Sequence, residues 1–193
     1  MADQHLEAWA SLVSAAERLL RDHDPARRAG RRSLQLLVRE PFAPWVAWEL
    51  YRLGAVPEPR YLLLRRVWRR DVDIDRVRTP VEWLRHRHAL APTVEVREVA
   101  TLGAAAAAAL LAPFAAVSGV PLDHGPDERL YLDGVGYELA MEPGTYSALR
   151  LEWHEAPPAG WARLAEEFHR ALAAAEAIAA AASTTGEARE AAT

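Results

Sequence analysis

The sequence predicts an α+β fold: N-terminal helices, then a small, mainly antiparallel sheet covered by helices that include a long C-terminal one. Three patterns carry that expectation. Leu6, Trp9, Val13, Ala16 and Leu20 recur at spacings of three or four, the stripe of an amphipathic helix. Between residues 130 and 153 apolar and polar positions alternate around glycines, as antiparallel strands do. Trp161, Leu164, Phe168, Leu172 and Ala175 then line up as one apolar ridge of a final helix.

Asp3 is positioned to cap the first helix. Asp24-Pro25 is a start signal for a second, ending on Leu34, Leu37 and Val38, with Gly30 weakening its middle. Pro44 opens a third, bearing Trp45, Val46, Trp48, Leu50, Tyr51 and Leu53 and stopped by Gly54. Over residues 61–75, Tyr61, Leu64 and Trp68 suit a helix, whereas the alternation through Val67, Arg69, Asp71 and Asp73 favours a strand, which is the expectation. Thr79-Pro80-Val81-Glu82 is a capping box that should start a helix running to about residue 90. Thr93 to Val99 alternates like a half-buried strand.

Val99 to Leu122 contains no charged residue, but Ala104 to Ala109, Gly103, Gly119 and Pro113 offer too little apolar surface for a membrane span. A buried small-residue helix is the expectation. Leu130 to Leu132, a turn at Gly134 to Gly136, Tyr137 to Met141, and Tyr146 to Trp153 should form a meander of strands, which Pro157 and Pro158 break. Residues 1–182 are expected to be one α+β domain and residues 183–193 a flexible tail.

The chain has 193 residues, of which 51% are hydrophobic and 26% charged. It contains no cysteine, and all 23 basic residues are arginine. Thiolate chemistry, cysteine metal sites, a P-loop lysine and a lysine Schiff base are therefore excluded. Asp3, Glu7 and Glu17 interrupt the first residues, unlike an export signal, so a cytoplasmic location is expected. Residues 1–120 hold 18 Arg against 14 acids, and residues 121–193 hold 5 Arg against 13 acids. Such asymmetry orients partners, or reflects two parts of one domain that attract each other.

Candidate sites are few. Asp71, Asp73, Asp75 and Glu82 fit positions of a calcium loop, but Arg76 stands where the loop needs glycine, and Glu82 is explained as a cap partner. Arg65, Arg66, Arg69 and Arg70 could fork onto phosphates or carboxylates; on a strand, however, Arg65 and Arg69 face away from Arg66, Trp68 and Arg70. His86 and His88 point apart on a helix, and the Glu166-x-x-His169 unit has no second copy for a di-iron site. His154 lies among Glu152, Trp153 and Glu155 and could serve as a base if a carboxylate oriented it. Ser118-Gly119 lacks the glycine of a hydrolase elbow, and Gly134-x-Gly136 has no following helix to cradle phosphate. Trp9, Trp45, Trp48 and Trp161 are expected in the core.

The stretch Leu132-Asp133-Gly134, Tyr137-Glu138-Leu139, Leu151-Glu152-Trp153, then Pro157 to Trp161 and Leu164, resembles the ending of small bacterial proteins, some of them immunity proteins that neutralise a cognate toxin. The resemblance covers about 35 residues and implies a sheet with its covering helix. It points to a non-enzymatic, cytoplasmic protein-binding module of immunity or antitoxin type. Such a protein blocks a partner protein through a charged surface, for which the acidic C-terminal part is the first choice. The partner-binding residues expected are Arg65, Arg66, Arg69, Arg70, Glu152, His154 and Glu155, with no catalytic, cofactor or metal site and no membrane partner. Two alternatives stay open: an enzyme with His154 or His124 as base, and a nucleic-acid binder through Arg65 to Arg70.

Overall fold

A computed structural model describes residues 2–21, 30–54, 58–79, 81–82, 90–121, 134–144 and 147–190. Helix α1 (Ala2–Arg21) leads to strands β1 (Gly30–Arg39), β2 (Trp45–Leu53) and β3 (Arg60–Trp68). Helix α2 (Arg70–Val77), strand β4 (Val94–Leu102) and helix α3 (Ala104–Val117) follow. Strands β5 (Gly136–Gly144) and β6 (Ser147–His154) then precede helix α4 (Ala162–Glu190). The six strands form one antiparallel sheet in the order β4-β3-β2-β1-β5-β6, so the class is α+β. Among the described residues, no helix is long and apolar enough to cross a membrane.

Helices cover both faces. On one, Ala16 and Leu20 of α1 pack with Leu37, Ala47 and Trp68 of the sheet, flanked by Trp9, Val13, Trp45 and Val94. On the other, α3 and α4 lie against each other and against Leu34, Leu36, Trp48, Leu50, Leu63, Leu139 and Trp153. Ala107 of α3 and Ala171 and Ala175 of α4 are fully buried where the two helices meet the core, whereas Ala104 to Ala106, Ala108 and Ala109 are exposed. Trp161, just before α4, and Leu164, Phe168, Ala171 and Ala175 of its ridge reach the core, each large side chain contributing about 1.5–3 kcal/mol of burial.

Two expected helices are strands. Residues 30–39 and 45–53 are the central strands of the sheet, and because helices cover both faces, Leu34 to Val38 and Ala47 to Tyr51 are buried at every position. Two-sided burial erases the alternation that marks a strand and leaves an apolar run that imitates a helix. Gly30, which weakened the helical reading, has a strand reason: a Cβ there would lie 2.8 Å from the Arg52 carbonyl oxygen. The ambiguous segment 61–75 divides, with strand to Trp68 and helix from Arg70.

Smaller corrections concern ends and turns. Asp3 lies inside α1 and not before it. The glycines expected to turn a hairpin lead into β5, and the β5–β6 connection is residues 145–146, between Gly144 and its partner Ser147. Helix α4 continues through residues 183–190, where a tail was expected. Val94 to Leu102 is a strand and Ala104 to Val117 an alanine-rich helix, but residues 95–98 are exposed where a half-buried strand was expected, and the helix is buried only at Ala107, Leu110, Pro113 and Ala116. Glu82 N donates to Thr79 Oγ1 at 3.2 Å, and both Val81 and Glu82 are helical, as the capping box requires. The expected strand at 130–132, most of the helix to residue 90, and His86, His88 and His124 lie outside the described residues.

Candidate functional site

The polar residues on the α1 face of the sheet form a network that fixes the helix. Glu49, fully buried on β2, accepts from Arg66 Nε at 2.7 Å, from its cross-strand neighbour Gln35 at 3.0 Å and from Arg32 at 3.3 Å. Those three side chains also cap the C-terminal end of α1. Arg66 donates to the Leu19 carbonyl at 2.8 Å, Gln35 to that of Leu20 at 2.6 Å and Arg32 to that of Arg21 at 2.6 Å. Cations there complement the negative end of the helix dipole. Burial works to lower the Arg32 pKa, but the Glu49 and Glu142 carboxylates outweigh it and hold it above the usual value. Burial, reinforced by the Glu49 charge, pushes the Tyr51 phenol up to about 12.

A second group extends the network to β5 and β6. Buried Glu138 pairs with Arg21 at 2.6 Å and Arg150 at 3.1 Å. Arg39, at the end of β1, is clamped between Glu17 at 3.0 Å and Glu152. Burial opposes the Arg39 charge, yet the hydrogen bond and charge of Glu152, then those of Glu17, raise its pKa. The charge asymmetry of the sequence is thus partly spent inside the molecule: Arg21, Arg32 and Arg39 are met by Glu138, Glu142 and Glu152. The acidic C-terminal part is therefore less available as a docking surface than its composition suggests.

Where this network reaches solvent, a cleft of about 320 Å³ opens between the α1–β1 end and the β5–β6 end. Glu17, Arg39, Phe42, Trp45, Arg70 and His154 line it. Gly136 makes the room, since a Cβ there would come within 3.2 Å of Arg39 Nε and 3.3 Å of His154 Cε1. One wall is the β1–β2 connection, Glu40-Pro41-Phe42-Ala43-Pro44. Its backbone is braced twice: Trp45 Nε1 donates to the Glu40 carbonyl at 2.9 Å, and Arg70 Nη1 donates to the Pro41 carbonyl. Two prolines fix further dihedrals. Phe42, at the tip of this stiff loop, is 86% exposed.

Arg70 differs from Arg39, the other arginine lining the cleft. Its guanidinium lies 5.5 Å from the centre of the Trp9 ring, which stacks on Trp68, itself met edge-on by Trp45. Its hydrogen bonds go to backbone carbonyls, and its Nε is buried with no partner. Burial lowers its pKa, and no carboxylate among the described residues offsets that.

The remaining expected residues scatter. Arg65 lies on the α3–α4 face, 5.6 Å from the Trp48 ring centre, while Arg66 is buried on the opposite face with Glu49. Arg69 bridges Asp71 and Glu95, each at 2.9 Å, and those hydrogen bonds raise its pKa and lower that of Asp71. The four arginines therefore form no common stripe for a nucleic-acid backbone. Glu152 commits its oxygens to Arg39 and Arg21. Glu155 adopts φ 43°, donates its amide to the Val135 carbonyl at 2.8 Å and packs its side chain by Gly134. Only Arg70 and His154 of the seven line the cleft, and Glu152 reaches it through Arg39.

Asp73, the central carboxylate of the calcium-loop spacing, is buried and saturated. It accepts from Trp68 Nε1, Thr93 N, Thr93 Oγ1 and Arg76, clipping α2 to the ends of β3 and β4. Among the described residues, no group of three or more histidines and carboxylates could hold a metal ion. His169 packs edge-on against Tyr137 and Phe168, and Glu166 pairs with Arg170. Sequence reasoning missed Phe42, Arg39 and Glu17; the one available signal was a phenylalanine between two prolines in a short polar-flanked segment. No protein family, curated protein or solved structure matches the chain.

Proposed function

We propose that this is a non-enzymatic, cytoplasmic protein-binding module that docks its partner on the Phe42 loop. Toxin neutralisation is the kind of partnership that the C-terminal resemblance implies. The observation that carries the reading is Phe42, 86% exposed on a loop braced by Trp45 and Arg70. A flexible loop would fold its phenylalanine down or lose entropy on binding; a braced one presents an aromatic anchor already in place. Arg70 beside it, which meets no carboxylate among the described residues, favours a partner with an apolar socket and an acidic rim.

Replacing Phe42 with a photo-crosslinking phenylalanine in the native cells tests this. One dominant covalent adduct with a different protein is expected, and Arg70→Glu in the same chain should abolish it. Phe42→Ala should weaken binding of the identified partner by about 2 kcal/mol. Adducts only with a second copy of the chain, or none, would overturn the reading.

A further inference from the structure

At the other end of β1, two arginines stand directly opposite each other on neighbouring strands: Arg31 of β1 pairs with Arg52 of β2, and Arg52 in turn pairs with Tyr61 of β3. Residues in register share a face, and like charges placed opposite each other repel. The other arginines of β1 are answered by carboxylates, Arg32 by Glu49 and Glu142 and Arg39 by Glu17 and Glu152. Arg31 and Arg52 meet no carboxylate among the described residues, and Arg52 Nε is buried without a hydrogen-bond partner.

These two side chains line a cleft of about 380 Å³ together with Ser33, Tyr61 and, from α3, Leu111 and Phe114. Glu142 also borders it, its Oε1 accepting from Arg32 Nη2 at 2.9 Å and Nε at 3.1 Å, so its charge is paired with Arg32. The size lies within the range of small-molecule sites, and the lining combines one apolar wall with a few converging polar groups. Arginine forks match planar or tetrahedral oxyanions, and the Ser33 and Tyr61 hydroxyls can donate to the same oxygens. We propose that this cleft binds a small organic anion, a phosphate- or carboxylate-bearing molecule whose apolar body rests on Leu111 and Phe114. The site is independent of the Phe42 loop.

The test uses the full chain and the dye 8-anilinonaphthalene-1-sulfonate, which joins an aromatic body to an anionic group. Saturable one-site fluorescence enhancement is expected, weakened at least tenfold in the Arg31→Ser/Arg52→Ser variant, whose melting curve verifies that it folds. On the unaltered protein, hexyl phosphate or hexanoate should displace the dye at tenfold lower concentration than hexan-1-ol, and the stronger of the two identifies the head group. Hexan-1-ol competing equally would reduce the cleft to an apolar crevice. Inorganic phosphate competing as well as hexyl phosphate would remove the apolar wall from the site. Either result, or dye binding indifferent to the double substitution, overturns the proposal.

Discussion

Glu49→Gln is the sharpest probe of how the two layers are joined. The substitution keeps the shape, so it leaves no cavity, but among the described residues it removes the one carboxylate that Arg66 meets on the α1 face. Arg32 keeps Glu142 and the Arg21 carbonyl; Arg66 keeps only the Leu19 carbonyl, and its Nη2 already has no partner. The new amide has a single acceptor oxygen for donors from Arg32, Gln35 and Arg66, and its own NH2 must face one of them. Stranding a buried cation in this way costs about 3–5 kcal/mol, a large share of the roughly 5–15 kcal/mol available to an ordinary domain. Urea unfolding should show the midpoint falling by about 1.5–3 M at an unchanged slope. Removing both partners, as in Glu49→Gln with Arg66→Met, should be milder than the two single losses added together, by about 2 kcal/mol. A single-variant loss under 1 kcal/mol, or strict additivity, would refute the view that Glu49 and Arg66 act as one unit.

Two further outcomes follow from the same geometry. The Tyr51 phenol, pushed up to about 12, stays protonated in the folded chain while the unfolded chain ionises near pH 10, so its contribution is complete below pH 10 and is lost as pH rises to 12. The difference amounts to about 2–3 kcal/mol, and Tyr51→Phe should flatten the alkaline limb of a stability-against-pH curve by that amount; an unchanged limb would contradict the assignment. Gly30→Ala forces a Cβ to 2.8 Å from the Arg52 carbonyl oxygen, so backbone must shift at about 1–3 kcal/mol, read as a lower melting temperature, and a neutral substitution would show that β1 and β2 are looser there.

How much of this was legible in the sequence depends on which faces are buried. Helix α4 buries one stripe, so Trp161, Leu164 and Phe168 stood out, whereas β1 and β2 bury both faces and lost the alternation that would have named them. The divergence of Arg65 from Arg66 followed from strand alternation alone and holds in the structure. The pairings could not be read, because the partners lie far apart in sequence: Arg21 and Glu138 by 117 residues, Arg32 and Glu142 by 110, Arg39 and Glu152 by 113. They meet only because β5 inserts beside β1, a fact of strand order. What the sequence did carry was their sum, the excess of arginine early and of acid late.

The absence of lysine acquires a structural sense here. Arg66 serves Glu49 from Nε and the Leu19 carbonyl from Nη1, and Arg32 serves Glu142 from Nε and Nη2 and the Arg21 carbonyl from Nη1, so each joins a helix-end carbonyl to a carboxylate through different nitrogens of one planar fork. An ammonium concentrates its donors at one point and carries a tighter hydration shell, so it could not span both acceptors from a buried position at similar cost. The clamp holds α1 by its C-terminal turn, and the same helix carries Glu17 to Arg39 and Trp9 beneath Arg70. Arg70 in turn braces the loop that presents Phe42. The position of that aromatic side chain is therefore set by a continuous series of contacts from the buried carboxylate of Glu49, through one helix, to the surface. Loosening the interior network should blur the loop before it unfolds the domain, because the loop depends on the register of α1 while the sheet keeps its own hydrogen bonds.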